Sequence, residues 1–151
     1  MSLNIFVNFT TDDLDRSKAF YEALGYSINP MFTDDNAACV VLSDTIYFMV
    51  QTREFSATFT DKQIIDAHTQ IGATVALSQD SREAVDAIVA RGLEAGGAEP
   101  RPAQDYGFMY SRDLEDPDGN HLSFLFMEPA AVEKGPEAFM TEQGAGAPAS
   151  A

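Results

Sequence analysis

Few side chains in this sequence can do chemistry, so those that recur at regular spacing stand out. The chain has two histidines, His68 and His121, and one cysteine, Cys39. His121 lies in the stretch "EDPDGNHLSFLF" (115–126), just after an Asp-Pro-Asp-Gly turn. Proline presets one φ of such a turn and glycine accepts a positive one. In the strand that follows, Leu122, Phe124 and Phe126 fall on one face and His121, Ser123 and Leu125 on the other. A histidine on such a face is a candidate acid or base, and Tyr47, Tyr110 and Asn8 can donate hydrogen bonds to an oxyanion. Ser123 near His121 is the nearest approach to a nucleophile–base pair.

The same two-faced pattern recurs in three other segments. Leu3, Ile5, Val7 and Phe9 oppose Asn4, Phe6, Asn8 and Thr10. Ile46, Phe48 and Val50 oppose Tyr47, Met49 and Gln51, and Ala73, Val75 and Leu77 oppose Thr74, Ala76 and Ser78. Each strand thus has one apolar face, which must lie under helices. The opposite faces mix Phe6, Tyr47 and Met49 with Asn8, Gln51, Thr74, Ser78, His121 and Ser123, too apolar for plain solvated surface and too polar for core. An apolar lining with a few placed polar groups is what a small-molecule cleft needs.

These strands need elements to position them. "LNIFVNF" reads as a strand and "DDLDRSKAFYEALGY" as a helix capped by Asp12 or Asp13 and ended at Gly25. Strands follow around "YSINPMF", "AACVVLS" and "TIYFMVQ". Thr60 and Gln63 of "TDKQ" form a capping-box pattern that predicts a helix to about His68. Then come a strand at "ATVALSQ", a helix at "DSREAVDAIVARGLEAGG" with Asp80 and Glu83 in capping positions, and strands around "AEPRPAQ", "GFMYSRDL" and "NHLSFLF". The order βαβββ therefore occurs twice, at a period of roughly 68 residues. The expected organisation is a first module at 1–58, a linker helix at 59–71, a second module at 72–129 and a disordered tail at 130–151, with Phe139 and Met140 docking locally.

The 151 residues are 45% hydrophobic, enough for a globular core, and the net charge is −15. Only nine residues are basic and they form no patch, which argues against nucleic acid as a partner. The acid excess serves solubility and, on a sharper reading, attracts a cationic ligand. No apolar run is long enough to span a membrane, and there is no signal-peptide pattern. A single cysteine excludes an internal disulfide and fits a cytoplasmic protein, with Cys39 of "AACVVL" a buried small residue.

Two stretches bear a family resemblance over residues 3–128. "DLDRSKAFYEALGY" is similar to an Asp-Leu-x-Arg-Ser-x-x-Phe-Tyr-x-x-Leu-Gly-Phe helix, and "EDPDG" precedes the last strand. In a paired βαβββ setting the chain resembles the vicinal oxygen chelate superfamily: glyoxalase I, extradiol dioxygenases, fosfomycin-resistance enzymes and bleomycin-resistance proteins. It is especially similar to small bacterial proteins described as predicted lactoylglutathione lyases. The resemblance implies an α+β fold of two tandem βαβββ modules, forming a curved eight-stranded mixed sheet around a cavity. Family members often dimerise, sometimes by exchanging modules, so a homodimer is implied as an option.

Metal enzymes of the family place four ligands on the inner strand faces. By the motifs, these positions hold Phe6, Met49, Thr74 and Ser123 here. Phenylalanine has no donor atom, methionine is a soft thioether, and neutral hydroxyls are weak ligands beside carboxylate or imidazole. No metal and no cofactor is therefore expected. The leading reading is a protein that binds a small molecule, cationic on the charge argument, in the sheet cavity through Phe6, Asn8, Tyr47, Met49, Gln51, Thr74, Ser78, Tyr110, His121 and Ser123. Two alternatives are a metal-dependent lyase or dioxygenase like its relatives, and a metal-free enzyme using His121. A further alternative is an interaction module whose inner face binds another subunit.

Overall fold

A computed structural model describes residues 2–144. The first module comprises β1 (Ile5–Thr11), α1 (Leu14–Ala23), β2 (Ser27–Asn29), β3 (Ala37–Val41) and β4 (Ile46–Thr52). A one-turn helix, α2 (Arg53–Ser56), leads into the linker. The second module comprises β5 (Thr74–Ser78), α3 (Arg82–Glu94), β6 (Gln104–Asp105), β7 (Met109–Glu115) and β8 (His121–Met127). The architecture is α+β, two tandem βαβββ modules, and the topology repeats: strand order β1-β4-β3-β2 in one sheet and β5-β8-β7-β6 in the other. The strand after each module's hairpin returns parallel to its first strand, as β4 beside β1 and β8 beside β5.

The helices start and stop where local chemistry permits. The Asp13 carboxylate accepts from the Arg16 amide at 3.0 Å and caps α1. Beyond its end Gly25 takes φ +106°, a conformation that L side chains rarely adopt. In α3 the cap is Ser81, whose hydroxyl accepts from the Ala84 amide at 3.0 Å, one residue after the expected Asp80.

The eight strands do not join into one sheet. They form two four-stranded sheets that remain open. Beside the edge strand β1 stand a side chain and the linker: the Asn120 amide donates to the Thr10 carbonyl at 3.1 Å, and a groove separates residues 7–10 from residues 63–73. The linker itself is irregular rather than helical. The Thr60 hydroxyl accepts from the Lys62 amide, not from Gln63 as a capping box requires. The Arg53 guanidinium takes the Ile64 and Ile65 carbonyls, which a helix would pair with amides, and the Asp66 carboxylate turns the chain at His68. The tail also differs from expectation. Two short helices, α4 (Pro129–Lys134) and α5 (Pro136–Glu142), follow β8, and Ala131 is buried. Most of "GAGAPASA" lies outside the described residues.

One core joins the modules. Phe9, Phe20, Tyr21, Leu24, Phe48 and Val50 of the first cluster with Val85, Ile88, Leu114, Leu122 and Phe124 of the second. Burying an aliphatic or aromatic side chain of this size contributes about 1.5–3 kcal/mol. The helices α1 and α3 touch, and the Arg91 guanidinium donates to the Leu24 carbonyl at the end of α1. The modules therefore meet through their helix-covered sides.

The two stretches that bear the family resemblance are the polar lock of this junction. The Asp118 carboxylate accepts from the Thr11 hydroxyl (2.6 Å), the Ser17 hydroxyl (3.1 Å), the Asp12 amide (2.9 Å) and the Arg16 guanidinium (2.7 Å). The Asp116 carboxylate accepts from the Tyr21 hydroxyl at 2.8 Å and from the Asn120 side chain and backbone. Burial raises the Asp116 carboxyl above its ordinary range, against these hydrogen bonds.

Two tyrosines are held protonated by this packing. Burial pushes Tyr26 up to about 12, and raises Tyr21 well above its usual value, with the Asp116 carboxylate adding to the effect. A raised folded-state pKa means that their contribution to stability is complete below pH 10 and is lost as pH rises through the folded value. In a phenolate absorbance titration, Tyr21 and Tyr26 should stay silent near pH 10 and ionise only with alkaline unfolding. A single step near pH 10 for all five tyrosines would contradict this packing.

Candidate functional site

The helix-free face of the first sheet gathers Phe6, Asn8, Tyr47, Met49 and Gln51. The β1–β4 register pairs Phe6 with Tyr47, Asn8 with Met49 and Thr10 with Gln51, and paired residues share a face. The Phe6 and Tyr47 rings stack with centroids 4.8 Å apart and planes 11° apart. The polar groups are tied together: the Gln51 amide donates to Asn8 Oδ1 at 3.0 Å, and Gln51 Oε1 accepts from the Ser56 hydroxyl at 2.9 Å. The Tyr47 hydroxyl donates to the Asp44 carbonyl, which leaves its ring as the available surface. Cys39, beside Met49 in the register, is buried, and burial pushes its thiol up. Phe6 remains 51% exposed, far more than an ordinary partner of a sheet core.

The helix-free face of the second sheet gathers Thr74, Ser78, His121 and Ser123. Thr74 pairs with His121 and Ser78 with Leu125, while across β7 Glu115 faces His121 and Asp113 faces Ser123. His121 Nε2 lies 3.1 Å from Asp113 Oδ2, with the two side chains 19% and 27% exposed. The pair sets a carboxylate oxygen beside one ring nitrogen of the histidine on this face. Asp113 was not singled out from the sequence. Its signal was the symmetry of the hairpin about Asp118, which sets Glu115 opposite His121 and Asp113 opposite Ser123.

Tyr110 does not join the other nine residues. It pairs with Phe126 on the helix-packed side of the second sheet, and its hydroxyl donates to Asp86 of α3 at 2.6 Å. The period-2 pattern around "GFMYSRDL" gives no apolar run to fix which face looks inward, so its side had to come from the pairing. On that side Arg112 bridges Glu99 and Asp86, and these bonds, Glu99 first, hold its guanidinium firmly charged.

The nine remaining residues divide between two faces on two sheets. The positions at which the resemblance implies metal ligands split in the same way, Phe6 and Met49 on one face and Thr74 and Ser123 on the other. Their atoms do not fit a divalent ion: a ring, a thioether and two neutral hydroxyls. Among the described residues no three His, Cys, Asp or Glu side chains converge as a ligand set. A groove of about 530 Å³ lies between β1, the linker and the start of β8. It takes Asn8 and His121 from the expected residues and adds His68, Glu115 and linker residues that sequence reasoning did not select. No helix among the described residues is long and apolar enough to cross a membrane.

Residues 4–43, from β1 into the β3–β4 turn, match the family model described as "Bleomycin resistance protein-like N-terminal". No curated protein matches the chain. Among solved structures, a hypothetical protein from S. aureus is 23% identical with a TM-score of 0.71, covering 83% of this chain and 94% of its own. A glyoxalase/bleomycin resistance protein from Albidiferax ferrireducens is 26% identical with a TM-score of 0.61, covering 82% and 97%. The bleomycin resistance determinant encoded on the transposon Tn5 is 19% identical with a TM-score of 0.60, covering 84% and 99%. The chain thus shares the paired-module fold of these solved glyoxalase/bleomycin resistance proteins, and its residues 4–43 are similar to the N-terminal part of the bleomycin-resistance family.

Proposed function

We propose that this is a bleomycin-resistance-like protein that binds a small molecule between helix-free sheet faces, without a divalent metal. The observation that supports it most is the stacked Phe6–Tyr47 pair, with Phe6 half exposed, on a face that also presents Met49 and a hydrogen-bonded Asn8–Gln51 pair. Aromatic rings beside satisfied amides suit a flat organic ligand and cost little ordering. Because the modules meet through their helices, closing such a face needs a second surface. We infer that a second copy supplies it, its second-sheet face meeting the first-sheet face of its partner.

Metal addition tests the reading. Protein loaded with nickel, zinc, manganese or iron(II), then desalted, should retain well under one equivalent and show no rise in melting temperature. One tightly bound equivalent that stabilises the fold would overturn it in favour of a metal-dependent lyase or dioxygenase. The His121–Asp113 pair favours one other reading, a metal-free enzyme with His121 as acid or base. It is distinguished by His121→Gln, which would abolish turnover of a bound compound while lowering its affinity far less.

A further inference from the structure

The groove beside the linker exists in the single chain and needs no second copy. We propose that it is a binding site for a small organic cation, an amine or amidinium on an apolar body, which shares Asn8 and His121 with the sheet faces but takes Glu115 as its counter-charge and the linker as its other wall. Glu115 is half-buried and lines the groove. It faces His121 directly across the β7–β8 ladder, yet His121 turns Nε2 to Asp113 instead. Among the described residues, no hydrogen bond or ion pair engages the Glu115 carboxylate. A carboxylate held at a groove wall without a partner attracts a cationic donor, and the excess of twenty-four acidic over nine basic residues adds to the field.

The rest of the lining matches an organic rather than an inorganic cation. Ile65 and Ile71 of the linker are apolar, Asn8 and Gln70 are neutral amides, and His68 adds an imidazole. A volume of about 530 Å³ suits a molecule of one or two rings. Among the described residues no arginine or lysine lines the groove, and Arg53, which reaches the linker, is occupied by the Ile64 and Ile65 carbonyls.

The wall is held in place at two points. Arg53 is one. The other is Gly119 of the Asp-Pro-Asp-Gly turn, at φ +92°, where an added Cβ would lie 2.6 Å from the Ala67 carbonyl oxygen and 2.8 Å from the His68 amide. The turn can therefore receive the linker backbone only as glycine.

The test uses benzamidine, its neutral isostere benzamide, and benzoate. Binding is followed by heteronuclear NMR of the two imidazoles, which are the only ones in the chain. Benzamidine should shift the His68 and His121 signals saturably. Benzamide should bind about tenfold more weakly, the worth of a charge-assisted hydrogen bond, and benzoate should not bind. Glu115→Gln should reduce benzamidine to the affinity of benzamide, with the circular dichroism spectrum unchanged. Equal binding of benzamidine and benzamide, full affinity in Glu115→Gln, or no saturable shift would each overturn the site. In the backbone amide spectrum of the same titration, saturable shifts confined to residues around Phe6 and Met49 would also overturn it, while leaving the sheet-face reading intact.

Discussion

Asp118→Ala is expected to lower the unfolding free energy by about 3–4 kcal/mol, and the melting temperature by about 10 °C. The side chain is 6% exposed and accepts four hydrogen bonds from the other module. Removing it strands the Asp12 amide and opens a cavity where the β7–β8 turn meets the start of α1. The loss is not the sum of four bonds, because the Thr11 hydroxyl can turn to the Asp13 carbonyl 3.0 Å away and still receive the Ser17 hydroxyl. Arg16→Ala gives the contrast. Its side chain is 43% exposed, so the same ion pair seen from this end is worth less than about 1 kcal/mol. Equal losses in the two variants, measured by urea unfolding, would mean that the ion pair rather than the buried acceptor holds the modules together.

The second large effect concerns assembly. Phe6→Asp should raise the dissociation constant of the proposed pair of copies about 100-fold, because a carboxylate would replace an aromatic ring on the covered face. The folded chain itself should lose only about 1 kcal/mol, chiefly the stack on Tyr47. Sedimentation equilibrium on the parent and the variant separates the two effects. A parent that is monomeric, or a variant that assembles as the parent does, would end the two-copy reading. A variant that unfolds would show that Phe6 supports its own module far more than its exposure indicates.

How much was legible in the sequence follows from periodicity. The apolar sides of β1, β4, β5 and β8 were readable because alternation has a strict period of two, and a buried face tolerates no slip. Val7, Phe48, Val75 and Leu122 lie on the helix-packed side, as the alternation requires, whereas Leu3 and Ile5 at the start of the first strand run past the core and are exposed. Tyr110 escaped this logic because its strand alternates weakly, and Asp113 because its meaning depends on a partner across a hairpin. The linker was misread for a different reason. A capping box is a local preference of about 1 kcal/mol, and Arg53 reaching from outside the segment outweighs it by pairing the carbonyls in another geometry.

By itself, the sequence determined the duplicated βαβββ order, the two faces of each main strand and the poor match of Phe6, Met49, Thr74 and Ser123 to a divalent ion. These depend on neighbours in sequence and on the atoms a side chain possesses. Only the tertiary structure decided that the sheets stay separate, that the modules meet through α1 and α3, and that "DLDRS" and "EDPDG" close one buried polar lock. It also placed both histidines and Glu115 around one groove. Residues distant in sequence become neighbours only when their desolvation is repaid by specific partners, and those partners cannot be read from local spacing.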